Sequence, residues 1–330
     1  MKAVVHADKV GFEGLSYREM KELHPNAGEV RIRLKTVGLN HRDLFVLNRH
    51  KPTEPPLIIG SDGAGIVDAV GKGVTHVQVG DEVIINPGLG WTENSEAPPN
   101  GFEIVGLPDH GTFSEQIVIP AGNAILKPEY LTWEEAGVLS LAALTAYRAL
   151  FTRGNISAEK TLLIPGIGSG VATFILQFAK AADATVYITS RSHEKRRMAL
   201  ELGADKAIDS NGDWNEALDG EKVDIVIESV GAATFNKSLN QLRPGGTIVA
   251  FGASAGDEIQ LNLRDFFYGQ FNLLGSTMGS AEEYNEMIQF IDTHKITPVI
   301  DRIYPLSQFE EAFKRMENAD QFGKIGFSVN

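Results

Sequence analysis

The stretch from residue 160 to 209 constrains this chain more than any other. It reads Lys160-Thr-Leu-Leu-Ile-Pro-Gly-Ile-Gly-Ser-Gly-Val-Ala-Thr173, then an amphipathic segment, then Ala184-Thr-Val-Tyr-Ile-Thr-Ser-Arg-Ser192. The apolar run 161–164 suits a parallel strand buried on both faces. Gly166, Gly168 and Gly170 follow at once, with Ser169 among them. Val171, Phe174, Ile175 and Phe178 then recur at the i, i+3, i+4, i+7 spacing of one helix face. A second apolar run, 185–189, completes the order strand, glycine turn, helix, strand. Such a βαβ unit gathers bare N–H groups and the positive end of a helix dipole at its turn, where a pyrophosphate binds well. The turn is not a strict Gly-x-Gly-x-x-Gly, because Val171 and Ala172 follow Gly170. Read as small-x-x-small-x-x-small, Gly166, Ser169 and Ala172 hold the three tight positions. Gly166, Gly168, Ser169, Gly170 and Val171 are therefore the predicted pyrophosphate cradle.

The end of the second strand selects the dinucleotide. An NAD site usually places an acid there for the ribose hydroxyls, whereas an NADP site needs cations and donors for the 2′-phosphate. Here stand Ser190, Arg191 and Ser192, with Lys195 one turn later. Ser190, Arg191 and Lys195 make a charge-assisted phosphate pocket, which favours NADPH over NADH. The plain alternative is a basic surface continued by Arg196 and Arg197.

A chain of 330 residues is long enough for about two domains with ample core. Its formal net charge of −13 argues against nucleic acid and anionic membranes as partners. No apolar run is long enough to span a membrane. The opening Met1-Lys-Ala-Val-Val-His6 is too short and polar for a signal peptide, so the cytoplasm is the expected location. The count of cysteines is 0, which removes disulfides, thiolate metal sites and cysteine nucleophiles together.

Residues 1–120 read as β-rich. Val30, Ile32 and Leu34 alternate with Arg31, Arg33 and Lys35, as in a half-buried strand. Further strands are expected at 64–70, 81–85 and 113–119, with a long irregular lobe at 88–108. Thr132-Trp-Glu-Glu135 is a capping-box pattern, and a second helix is expected over 141–151. Strands at 161–164, 185–189, 206–209, 223–229, 247–251 and 271–275 alternate with helices at 170–182, 193–202 and 234–242. That alternation predicts a doubly wound parallel sheet, and the fold class is α/β. Arg243-Pro-Gly-Gly246 reads as a turn into the fifth strand. Two more helices are expected, one capped by Ser280 with Glu283 and one by Ser307 with Glu310.

Several separate stretches now add up. They are Gly38-Leu-Asn-His-Arg-Asp43, Gly60-Ser-Asp-Gly-Ala-Gly-Ile-Val67, Val79-Gly-Asp-Glu-Val83, Gly111-Thr-Phe-Ser-Glu115, Leu144-Thr-Ala-Tyr147, the glycine turn, Leu202-Gly-Ala-Asp205 and Gly323-Lys-Ile-Gly326. In this order they resemble the medium-chain dehydrogenase/reductase superfamily over essentially the whole chain. The resemblance implies a GroES-like β-rich catalytic domain from residues 1–121 and 277–330, with a Rossmann NADP-binding domain over 122–276. It places the active site in the cleft between the two domains. Within the superfamily the chain is similar to the zinc-independent quinone oxidoreductase branch. Asn40, Ser61 and Leu141 stand where zinc-type relatives carry a cysteine, a histidine and a cysteine ligand, so no metal is expected. The lobe 88–108 lacks the structural-zinc cysteines. His50 and His110 remain as isolated histidines.

Zinc makes an alkoxide accessible near neutral pH, and without it simple alcohols are poor substrates. Hydride addition to a quinone or an α,β-unsaturated carbonyl is less demanding, because the charge spreads to an oxygen that hydrogen-bond donors can stabilise. The expected activity is thus metal-free, NADPH-dependent reduction of a quinone or enone. Asn40 is the candidate substrate-polarising donor and Asp43 the candidate organiser of the site. The resemblance sets Thr145 near the nicotinamide, Ser229 and Gly231 beside the adenosine ribose, and Phe251, Gly252, Ser276 and Met278 towards the nicotinamide. It directs Lys324 to the nicotinamide ribose or a phosphate. The alternatives are a carbonyl or alcohol dehydrogenase of the same superfamily and an NADPH-binding sensor with little turnover. A homodimer is expected, since the superfamily pairs its last Rossmann strand across a two-fold axis.

Overall fold

The computed structural model describes residues 1–329, and the chain divides into two units. One comprises Met1–Ala142 with Gly279–Asn330, and the other Ala143–Met278.

The second unit is an all-parallel sheet of six strands. In spatial order they are Lys206–Asp209, Thr185–Ser190, Thr161–Ile164, Val223–Glu228, Leu242–Ala250 and Asn272–Gly275. The chain order reverses beside Thr161–Ile164, which is the switch point of a doubly wound sheet. Leu162, Leu163, Val186, Ile188, Ile225, Val226, Ile227, Ile248 and Val249 are all buried, so these runs are apolar on both faces because both faces are covered. The helix Gly170–Ala181 buries Phe174, Ile175 and Phe178, as its spacing predicts. Short helices at Trp214–Ala217 and Leu263–Tyr268 were not expected; one turn is too short to show periodicity. The expected helix 141–151 ends as Ser140–Tyr147 and continues as a wider π-type turn, Arg148–Arg153. Arg243 to Gly246 belong to the strand Leu242–Ala250 rather than to a separate turn.

The first unit is strand-rich. Its long strand Glu29–Leu39 pairs antiparallel with Asp62–Val70, Gln116–Pro120 and Lys324–Ser328. Val30, Ile32 and Leu34 are buried, while Arg31 turns outward to Asp68 at 2.7 Å. Lys2–His6 joins Leu15–Glu19 and Leu57–Ile58 in a smaller sheet. A helix at His41–Arg49 interrupts the strand-rich region and was not foreseen. Of the two expected caps, Ser280 with Glu283 is present, but the last helix, Phe309–Glu317, begins after a 3-10 turn at Leu306–Gln308, so Ser307 is not its cap.

The boundaries differ from 121 and 277. Residues 122–142 fall with the strand-rich unit, and the second boundary lies after Met278. Close backbone contact explains the first shift. A Cβ on Gly137 would lie 2.5 Å from the Thr36 carbonyl oxygen, and one on Gly38 would lie 2.9 Å from Val138 Cα. The helix Trp133–Gly137 therefore rests directly on the long strand. Among the described residues, no helix is long and apolar enough to cross a membrane.

Candidate functional site

In a parallel sheet every strand ends at the same edge, and ligands bind there. The turn after Thr161–Ile164 is built for close approach. Gly166 has φ 70° and Gly168 φ 142°, and a Cβ on Gly166 would lie 2.6 Å from Val230 Cγ2. Glycine at 166 is thus required both by backbone conformation and by space. Thr189 steadies the turn: its hydroxyl accepts from Gly166 N at 3.2 Å and its carbonyl from Ile167 N at 2.9 Å. Ser169 caps the helix by accepting from Ala172 N at 3.2 Å. The amides of Gly170 and Val171, in the first turn, have no helical acceptors and carry the positive end of the dipole.

The other predicted cofactor residues follow strand ends along this edge. Glu228, fully buried at the end of its strand, accepts from Val230 N at 2.8 Å, Gly231 N at 3.2 Å, the Thr234 hydroxyl at 3.0 Å and the Ser238 hydroxyl at 2.8 Å. These bonds fix the Ser229–Gly231 turn. Phe251 N donates to the Glu228 carbonyl at 3.1 Å, so the adjacent loop, with Gly252, is registered to it. Ser276 N donates to the Ala250 carbonyl at 2.9 Å, while its hydroxyl is buried with no partner. Met278 is buried with φ 31°. Thr145 is also buried, on the helix Ser140–Tyr147. A glycine cradle, bare helix amides and an orphaned hydroxyl along one edge fit a dinucleotide.

At the end of the second strand Ser190 is buried and accepts from Ser192 N at 3.2 Å, and Arg191 is exposed. Lys195 lies in the first turn of the helix His193–Glu201, with its amide on the Ser192 hydroxyl at 3.3 Å. Arg196, which from the sequence belongs only to a basic surface, has a structural role here. Its guanidinium donates to the Ser190 carbonyl at 2.7 Å and reaches Asp209 at 3.3 Å, so it anchors the strand end that presents Ser190 and Arg191. Asp209 comes alongside only through strand pairing.

The strand-rich unit holds a second constellation, this one buried. Asp62 is fully buried, and its Oδ1 accepts from Leu141 N at 2.7 Å. Its Oδ2 accepts from Asn40 Nδ2 at 3.0 Å and from Lys324 Nζ at 3.1 Å. The Lys324 ammonium also donates to Asn40 Oδ1 at 2.5 Å and to the Leu39 carbonyl at 3.1 Å. Its three N–H groups are thus all engaged. Pairing of Lys324–Ser328 with the long strand places the side chain that the resemblance directs to the nicotinamide ribose or a phosphate beside Asn40. Asn40 is likewise committed, since its amide N–H groups go to Asp62 and, at 3.4 Å, to the Gly38 carbonyl.

Asp43 sits in the first turn of the helix His41–Arg49. Its Oδ2 accepts from Asn40 N at 2.8 Å, and its Oδ1 is buried without a partner. Burial pushes this carboxyl up to about 6, against the pull of Arg42 and the Asn40 amide. Arg42 was not singled out by the sequence. It donates through Nη1 to Ser61 Oγ at 2.6 Å and to the Val105 carbonyl at 3.0 Å. Burial lowers its proton affinity, and Asp43 and Asp62 oppose that.

This donor set does not fit a zinc ion. Asn40, Ser61 and Leu141 provide no imidazole or thiolate, and both oxygens of Asp62 are taken, one by a resident ammonium. His110 Nδ1 accepts from Ile58 N at 3.2 Å, and His50 packs against His6.

Residues 170–293 match the zinc-binding dehydrogenase family and residues 26–129 the alcohol dehydrogenase GroES-like domain. The chain is 33% identical to a zinc-type alcohol dehydrogenase-like protein YogA of Leptosphaeria maculans, over 92% of this chain and 92% of that protein. It is 30% identical to a quinone oxidoreductase of Pseudomonas aeruginosa, over 87% of this chain and 85% of that one. Among solved structures, an NAD-dependent alcohol dehydrogenase superposes with a TM-score of 0.94 at 34% identity, covering 100% of both chains. With a GroES-like unit, a parallel-sheet unit and these relatives, the chain is an oxidoreductase of the medium-chain dehydrogenase/reductase superfamily.

Proposed function

We propose that the protein reduces a quinone or an α,β-unsaturated carbonyl with NADPH and without a catalytic metal. One observation carries this reading: the Lys324 ammonium lies among Asn40, Asp62 and the Leu39 carbonyl, in the cluster whose zinc-type counterparts carry metal ligands. A cation entering that cluster would have to displace a buried, fully bonded ammonium.

NADPH, when bound, supplies the hydride. The cradle Gly166–Val171 holds its pyrophosphate, and Ser190, Arg191 and Lys195 hold the 2′-phosphate, with Arg196 fixing the strand end beneath them. Reduction leaves negative charge on an enolate or hydroquinone oxygen. Arg42, held through Nη1 by Ser61 and the Val105 carbonyl, is the proposed donor to such an oxygen. Asp43 and Asn40 set the helix turn that carries Arg42.

A second reading, an NADH-using alcohol or carbonyl dehydrogenase, is favoured by the solved neighbour of that description. Coenzyme oxidation with a small quinone and a small enone, in chelator, with NADPH and NADH in parallel, separates the two. Chelator-resistant turnover that prefers NADPH is the expected result. Turnover lost in chelator, or confined to alcohols and NADH, supports the second reading. Tight NADPH binding without turnover points to a sensor.

The proposed assembly is a homodimer. The edge strand Asn272–Gly275 has one side unpaired, Leu273 on it is exposed, and Leu263, Phe267 and Tyr268 are exposed on the preceding helix. Light scattering at twice the chain mass of 35.8 kDa is expected; the monomer mass would refute it.

A further inference from the structure

Two buried histidines lie outside the constellations described above. His6 ends the strand Lys2–His6, and His50 closes the helix His41–Arg49. Their Nδ1 atoms are 2.8 Å apart, which is hydrogen-bond distance. His6 Nε2 is 3.0 Å from the Gly11 carbonyl, and His50 Nε2 is 2.9 Å from the Pro55 carbonyl. A carbonyl only accepts, so each Nε2 must carry a proton. The Nδ1–Nδ1 contact needs one proton more. All three contacts are made together only when the two rings hold three protons between them, which is one positive charge. With two protons one contact becomes lone pair against lone pair; with four, two N–H groups collide.

We infer that His6 and His50 form a pH-operated latch, closed by one shared proton, that ties the C-terminal end of the helix His41–Arg49 to the first strand. The latch is closed in mild acid and loosens as the pH rises. Burial lowers the proton affinity of His6, a charge on His50 lowers it further, and the Gly11 carbonyl opposes both. The charged and titratable groups around the pair are Glu54, whose carboxylate is 3.9 Å from His50 Nε2, and exposed Arg49 on the helix. Lys9 precedes a 3-10 turn at Phe12–Gly14 and pairs at 3.1 Å with Glu13 inside it. His110 faces the adjacent strand, where it accepts from Ile58 N. Gly14 packs on the His6 ring so closely that a Cβ there would lie 2.6 Å from Nε2, which leaves the ring little room to reorient. The far end of the tied helix carries Arg42 and Asp43, so the latch bears on the turn that presents them.

The test uses the full-length wild-type chain labelled at histidine nitrogen. Ring N–H groups are counted by NMR from pH 5.5 to 8, and amide protection factors are followed at Gly11 and His50, whose amides bond to the Leu47 and Val46 carbonyls. Three ring protons on the pair at the acid end and two at pH 8 are expected, with protection at both amides falling about tenfold, as loss of one hydrogen bond implies. His50→Gln should flatten the pH profile of protection. Two ring protons at every pH, or protection factors that do not change with pH in the wild type, would overturn the latch. A profile retained in His50→Gln would overturn it as well, and if that variant does not fold the wild-type proton count still decides.

Discussion

The cofactor edge of the parallel-sheet unit and the Asn40–Asp62–Lys324 cluster of the strand-rich unit solve opposite problems. The first is made of backbone. Its glycines and helix amides are left open, and Glu228, Thr189 and Arg196 serve only to hold loops in place. The second is made of buried side chains that bond to one another, and Asp62 and Lys324 leave no donor or acceptor idle. An edge with unsatisfied groups is ready for a charged ligand. A cluster that satisfies itself shapes its surroundings instead.

Replacing Lys324 tests the closed cluster hardest. Lys324→Met leaves Asp62 buried without its cation, and a loss of about 3–5 kcal/mol in denaturant unfolding is expected. A loss below about 1 kcal/mol would show that the cluster is not self-satisfied as described. Asp43 gives the next largest effect. Its carboxyl is raised to about 6 in the fold from an ordinary 3.8, so the protonated form is the one the fold favours. The associated stability is present below about pH 4 and is lost as the pH rises through about 6. Asp43→Asn keeps an acceptor for the Asn40 amide and removes the charge. Its stability relative to wild type should rise between pH 4 and pH 7, by up to about 3 kcal/mol, and then level off. A difference independent of pH would break the assignment.

The open edge is tested by ligand affinity. Gly166→Ala introduces a Cβ against Val230 at a left-handed φ, and NADPH affinity by fluorescence titration should fall about tenfold to a hundredfold. The smallest effect belongs to exposed Arg191. Arg191→Ala should weaken NADPH by about fivefold to tenfold and leave NADH unchanged. An equal loss for both coenzymes would remove Arg191 from the 2′-phosphate pocket.

Much of the parallel-sheet unit was legible because its signals are local. A buried parallel strand is a short apolar run, and the glycine turn is adjacent to it in sequence. The strand-rich unit hid more. The helix His41–Arg49 was missed because its first turn is held by Asn40 and Asp43, residues that read equally well as loop or site. The contacts of Lys324 with Asn40 and Asp62 left no local trace, because the antiparallel pairing of Lys324–Ser328 with Glu29–Leu39 joins positions nearly a whole chain apart. Arg42 stands in the stretch Gly38–Asp43 but only tertiary packing brings Ser61 and Val105 to it, and the His6–His50 pair stands in no motif.

By itself, the sequence determined the α/β class, the glycine turn at Gly166–Val171, the absence of thiolate ligands and the superfamily. Periodicity, glycine spacing and composition carry that information over a few residues at a time. Only the tertiary structure decided where the lone charges go: Lys324 onto Asp62, Arg196 onto Ser190 and Asp209, Arg42 onto Ser61, and His6 onto His50. A buried charge or imidazole must find a partner wherever the fold brings one. That partner is set by strand register and loop packing, which no local pattern records.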